Sequence, residues 1–308
     1  MQDPQTPQID YVVVGLGNTG EAAASSRHNA GFLFCDYLSN CIHMQQHLLA
    51  TGGSVDNPTL PTHPPRYVRR NDLGADINDT VFTIFPGETL ASHSDVAIAK
   101  ASKKQSAEPV SRTLRLLIVK PIWGMNDSGV AVRNVLLAYN IANPSKQLIV
   151  AFDDLNTLPG SIAIHTGTDL GAIRGHKGVE SIVQHLGNSA SEFIRFRLGI
   201  GRPHGDTKAL QFVDASFQKE NRELDLFGYA LDLTAQALQY YFASNGDSKS
   251  TKKKFGKSKK LPLNKLQQVS VQIALARSLV VVPYSISADS ALYLQMESLS
   301  FPFETVGV

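Results

Sequence analysis

His28 is the side chain best placed to move a proton near neutral pH, because imidazole titrates there. It lies in the stretch Gly15 to Phe32, which reads GLGNTGEAAASSRHNAGF. A lone histidine is more often a cap or a surface residue, so its partners decide its role. Asp153 follows the apolar run Leu148 to Phe152. That run reads as a buried strand, and its C-terminal end is where α/β sheets gather functional groups. A carboxylate there could fix the imidazole in one tautomer and raise its basicity. Asp153-Asp154 could also be a turn or a helix cap, and for Asp154 the cap is the preferred reading.

The rest of the chain limits the chemistry. No GxSxG nucleophile motif occurs, and His43 and His47, although spaced i, i+4, lack the glutamate of HExxH. That pair reads as a solvated helix face, and no metal or other cofactor is expected. A histidine and a carboxylate without nucleophile or metal point to direct attack by an activated water. The amides Asn18, Asn29 and Asn126 suit such a site, since they can bond a carbonyl, a peptide backbone or a developing oxyanion without adding charge. Each could equally be a turn or cap residue. Gly171 to Gly178, GAIRGHKG, is a glycine loop opening a helix, an arrangement that binds anions, and it includes His176 and Lys177. It is not a Walker loop. Gly15, Gly17 and Gly20 match GxGxxG, but no acidic strand end follows at the required distance, so a dinucleotide-dependent oxidoreductase ranks low.

These residues need strands and helices to bring them together. Val12–Val14, Val81–Phe85, Leu114–Val119, Leu148–Phe152, Ser161–His165 and Phe193–Ile200 read as strands. Helices are expected at Asn29–Asn40, Asn126–Tyr139, His176–Leu186, Asp206–Phe217 and Leu224–Phe242. The alternation argues an α/β fold, a central mixed, mostly parallel twisted sheet covered on both faces. Residues 49–79 are loop-like, and 86–111 read as an exposed polar insertion. Residues 246–260 contain SKSTKKKFGKSKK and read as a disordered lysine-rich linker, ahead of an extension over 261–308 that offers no motif.

Composition is compatible with this. The 308 residues are 43% hydrophobic, enough for one large domain with additions. A net charge of +2 leaves nucleic-acid binding open only if positive charge is clustered. Cys35 and Cys41 have no metal spacing and suggest a reducing compartment. Residues 1–10 carry no apolar signal core, and no apolar run is long enough to span a bilayer, so no membrane partner is expected.

Five ordered motifs then narrow the reading. VVVGLGNTG…RHNAGF, KPIWGMNDSGVAV, VAFDDLNTLPGSIAI, RGHKGVESIVQHLG and FIRFRLGIGRP together closely resemble bacterial-type peptidyl-tRNA hydrolase, over about Tyr11 to Phe242 within a domain at 11–245. The resemblance implies a monomeric three-layer α/β/α fold that uses no metal and cleaves the ester joining a peptide to the 3′ ribose of tRNA. It implies His28 as the base and Asp153 as its supporting carboxylate. It implies Asn18 and Asn126 on the peptide end and the reacting ester, and Arg195 and Arg197 on tRNA phosphate; Asn29, Met125, His176 and Lys177 are expected beside them on the substrate side. The cytosol is the expected compartment, with the mitochondrion as the alternative.

The chain also departs from the family. Gly175-His176-Lys177-Gly178 stands where the family usually has GHNG, and this lysine could contact phosphate or, if close, depress the pKa of His28. Thr19 replaces the proline of GLGNPG, Ala22-Ala23-Ala24 replace a frequent aromatic, and Ala163 and His165 stand where basic residues are frequent. A second reading is therefore an RNA-binding protein on the same fold with little catalysis, akin to relatives thought to serve RNA splicing.

Overall fold

The computed structural model describes residues 8–51, 61, 63–85, 111–167, 175–187, 192–203, 205–218 and 222–256. In chain order these form β1 (Tyr11–Gly15), α1 (Ala30–Thr51), β2 (Val68–Arg70), β3 (Ala75–Ile84), β4 (Arg112–Pro121), α2 (Ser128–Ala138), α3 (Pro144–Gln147) and β5 (Leu148–Asp154). They continue with β6 (Ile162–His165), α4 (Lys177–Leu186), β7 (Ile194–Gly199), α5 (Ala209–Asp214), α6 (Glu223–Ala243) and α7 (Ser248–Phe255). The strands make one mixed sheet, ordered β2-β3-β4-β1-β5-β7-β6. Its heart, β4-β1-β5-β7, is parallel, and β2, β3 and β6 pair antiparallel at the flanks.

Alternation along β1 divides the core. Tyr11 and Val13 pack with α1 and α6 on one face, whereas Val12 and Val14 pack with α2 and α4 on the other. All seven residues of β5 are buried, as a strand covered on both faces requires. The result is the α/β/α arrangement.

One close contact sets the height of α1 on this sheet. A Cβ on Gly31 would lie 2.3 Å from Ala151 O and Leu16 N, and one on Gly15 would lie 2.1 Å from Gly31 O. Facing glycines let the first turn of α1 rest directly on the ends of β1 and β5. Gly17 has the same duty toward Phe32 and Asn29, so these two glycines of the GxGxxG match serve packing and not a cofactor.

Several elements differ from their sequence pattern. The first helix continues to Thr51 because Gln45 and Gln46 are not merely solvated: Gln45 Nε2 donates to Thr83 O and Gln46 Nε2 to Val81 O on β3. Residues 49–79 are not all loop, since they include β2 and the first half of β3. Their strand character is masked by Asp76 and Asn78, which are buried, Asp76 being paired with Arg69. The lysine-rich linker is, over Ser248–Phe255, a capped helix: Asp247 Oδ1 accepts from Lys249 N and Ser250 N. The extension at 261–308 and most of the 86–111 insertion lie outside the described residues.

Replacing Gly31 with alanine should separate α1 from the sheet. We expect a loss of about 1–3 kcal/mol or more in stability, read from the denaturant midpoint at unchanged m-value.

Candidate active site

The carboxyl ends of β1, β4 and β5 supply the candidate residues. Asp153 is the second-last residue of β5, where burial removes nearly all its water. Two imidazoles converge on one oxygen: His28 Nδ1 at 2.9 Å and His176 Nε2 at 3.1 Å from Oδ1. Burial opposes the ionised form of Asp153, yet the charge and hydrogen bonding of His176, followed by those of His28, hold its carboxyl far below the usual carboxylate range. An ionised acceptor requires donors, so Nδ1 of His28 carries the hydrogen and Nε2 is left with the lone pair. Nε2 bonds to no other described residue, and the ring keeps some solvent exposure. Burial pulls the pKa of His28 down, but the hydrogen bond and charge of Asp153, helped by Asp214, outweigh it and raise the value above 6.5.

His28 is anchored by its neighbour. Arg27 is buried and forms a two-pronged ion pair with Glu223 at the start of α6. Its Nη1 also donates to Phe212 O and Ala215 O at 3.0 Å, and its guanidinium lies 4.2 Å from the Phe212 ring centroid. That hold docks α5 beside the His28 turn and carries Asp214 toward the imidazole. The sequence hint was only the charge beside the histidine in RHN; its partner is 196 residues away.

The amides split into two roles. Asn29 Oδ1 accepts from Asn18 N at 2.7 Å, and its Nδ2 donates to Asn18 O at 2.9 Å. Asn29 is therefore a buried clamp on the Asn18 loop, with both ends of its amide engaged. Asn18 Oδ1 accepts from Met125 N at 3.2 Å, which leaves its amide hydrogens available. Met125 is buried beside Gly178 and Leu16, and Asn126 is exposed at the same end of the sheet.

Four other expected site residues are placed differently. His176 is buried, edge-on to Phe152, and serves Asp153. Lys177 is 70% exposed and pairs with Glu180 at 3.1 Å on the surface of α4; its charge is not among the causes acting on His28. Arg195 is 0% exposed and donates to Gly167 O, and Arg197 is bound to Asp154 and His165. Expected on tRNA phosphate, the two arginines are here turned to the protein: Arg195 is fully buried, and Arg197 is largely covered and paired with Asp154. Asp154 is likewise no cap; it holds Arg197 and accepts from Thr157 Oγ1.

His28, Asp153 and His176 each offer one ligand atom within 4.8 Å of the others, so among the described residues this trio is the one group that could hold a cation. The nitrogens nearest Asp153 are already engaged with it by hydrogen bonds. A metal bound through those nitrogens would have to displace both protons.

The fold and this centre define a class, an α/β protein with a carboxylate-bound histidine open at the carboxyl edge of its sheet. The family model described as peptidyl-tRNA hydrolase matches residues 83–262, a span that includes Asp153 and His176 and begins after His28. The peptidyl-tRNA hydrolase of Bacillus subtilis (strain 168) is 30% identical over 209 residues, 68% of this chain and 80% of that protein. That of Moorella thermoacetica is 30% identical over 213 residues, 69% and 82% of the two chains. A crystal structure of peptidyl-tRNA hydrolase with N-propanol shares the fold at a TM-score of 0.52 and 23% identity, covering 83% of this chain and 100% of that one. That from Acinetobacter baumannii gives 0.50 and 23%, covering 79% and 96%. The chain belongs to the bacterial-type peptidyl-tRNA hydrolase family.

Because Arg197 and Asp154 are an enclosed pair, Arg197→Gln should lower the denaturation midpoint, by about 3–5 kcal/mol in stability. Any tRNA affinity retained by the folded variant should keep its salt dependence.

Proposed function

We propose that this protein hydrolyses peptidyl-tRNA at the ester between the peptide and the 3′ ribose, releasing free tRNA and peptide. The carrying observation is an open imidazole bonded to a buried carboxylate, in a member of this family. His28 Nε2 removes a proton from a water as the water oxygen attacks the ester carbonyl carbon. The carbonyl π electrons move to the oxygen, where the amide hydrogens of Asn18 and Asn126 stabilise the developing charge. Collapse breaks the bond to the ribose 3′ oxygen, which leaves with the proton held by His28. Asp153 stays ionised and balances the imidazolium, as the third member of a triad does. His176 and Asn29 act one step behind, the first on Asp153 and the second on the Asn18 loop.

This is a reading of a soluble, monomeric, cytosolic enzyme. No helix among the described residues is long and apolar enough to cross a membrane. A mainly RNA-binding role is not favoured, since an uncatalytic protein would have no need of an ionised Asp153 aimed at an open base.

Release of peptide from peptidyl-tRNA by the wild type, beside His28→Ala, tests the proposal. We expect the variant to lose about 10²–10⁴-fold in kcat; release that did not depend on His28 would overturn it. The pH dependence supplies a second check. The base must be neutral, so kcat/KM should fall as pH drops through a His28 pKa above 6.5, and Asp153→Asn should move that acid limb to lower pH. Stability behaves differently for the two partners. The raised pKa of His28 contributes stability that is full below its unfolded value and lost as pH rises through the folded value. The depressed pKa of Asp153 contributes stability present above about 3.9 and lost on acidification.

A further inference from the structure

We propose that α7 is an RNA-backbone contact, and that it binds the polynucleotide part of the substrate several nucleotides from the ester. The inference rests on the peptidyl-tRNA reading given above. Helix α7, SKSTKKKF, carries Lys249, Lys252, Lys253 and Lys254, all exposed, and no carboxylate of its own. The adjacent Asp247 is engaged with the helix N-terminus through Lys249 N and Ser250 N. Among the described residues, none of the four ammonium groups makes a salt bridge.

Eight residues of this composition would not hold a helix in water by themselves. Docking holds it: Thr251 is buried, and Phe255 meets Tyr240 of α6 with ring centroids 5.8 Å apart. With Thr251 and Phe255 turned inward, helical spacing puts Lys249 and Lys253 on the outward face, i and i+4, with Lys252 to one side. Lys254 lies over the Tyr240 ring at 4.1 Å and is partly committed there. The fold thus spends packing contacts on displaying three close positive charges, of which Lys249 is partly offset by Asp247. A phosphate backbone, a row of regularly spaced anions, satisfies them, and lysine binds it as a point charge.

The position suits tRNA. Helix α7 packs against α6 and β6, on the sheet face that also carries α1 and the His28 turn. β6 lies two strand spacings from β5, and the turn between α6 and α7 lies against Tyr11 and near Lys146 at the amino edge of the sheet, so with one layer of depth and the length of β5, α7 is about 20–30 Å from Asp153. That is too far to touch the ester and about six to nine nucleotides of strand rise away from it. Arg195 is fully buried and Arg197 is paired with Asp154, so neither presents a free charge like those of α7.

The test is a triple variant, Lys249→Gln, Lys252→Gln and Lys253→Gln, in the full chain, with a Lys→Arg triple variant beside it; glutamine keeps the helix propensity of lysine. For intact peptidyl-tRNA we expect the glutamine variant to raise KM roughly ten-fold at moderate salt and to lower the log–log salt slope of binding by about 2. Its kcat should be unchanged, as should its rate on an N-acylaminoacyl ester of adenosine, and the arginine variant should restore KM and slope. An unchanged KM and slope would overturn the proposal, as would an equal loss on the adenosine ester, which would mark a structural effect. Lost binding to phosphatidylserine vesicles with KM for tRNA unaltered would assign the lysines to a membrane and also overturn it. If the wild type released no peptide at all, the peptidyl-tRNA reading would fail by itself, and the salt slope for deacylated tRNA would still decide whether α7 binds RNA.

Discussion

Asp153 is an ion in a place that water barely reaches, and the site depends on keeping it ionised. Removing a carboxylate from water costs several kcal/mol even after relaxation. Two hydrogen bonds from imidazoles, each worth about 1.5–3 kcal/mol to a charged partner, offset much of that cost. Loss of either donor would favour protonation of the carboxyl. A protonated Asp153 could no longer keep a hydrogen on Nδ1 of His28, and the lone pair on Nε2 would lose its fixed direction.

Much of the surrounding architecture can be understood as bringing three distant segments to this oxygen. The Gly15–Gly31 contact lowers α1 onto the sheet so that the turn before it reaches β5. Arg27, tied to Glu223 and two backbone carbonyls, prevents that turn from lifting. The Asn29–Asn18 clamp joins the His28 turn to the β1 loop, and Asn18 Oδ1 continues the link to the backbone before Asn126. One hydrogen-bonded path therefore runs from the base to the two amides proposed for the oxyanion. Strand β5 contributes from below, because its seven buried residues give Asp153 a fixed platform.

Positive charge is distributed less obviously. The arginines of RFRLG look like an RNA-binding strand, but Arg195 and Arg197 face protein acceptors. Lys177 lies in the glycine loop where a substrate group was expected, yet its partner is Glu180. Among the described residues, a run of exposed lysines lies instead on α7, a segment whose composition reads as a linker. The difference is one of docking: neither strand alternation nor lysine content shows which side of an element the rest of the chain covers.

Sequence by itself determined the class of fold, the strand and helix alternation, the His28–Asp153 pairing and the family, because these follow from local apolar periodicity and from short motifs whose order is preserved. It left open how far each polar residue is solvated. Asp76, Asn78, Gln45 and Gln46 look like loop or surface residues and are satisfied by partners on other elements. Asn29 and His176 look like substrate ligands; in the fold Asn29 bonds the Asn18 backbone and His176 bonds Asp153. The Arg27–Glu223 pair spans most of the chain and has no local signature. Only the tertiary structure decided these roles, since a hydrogen bond or ion pair is defined by which atoms meet and whether water is excluded. Neither is written in the identity of a single residue.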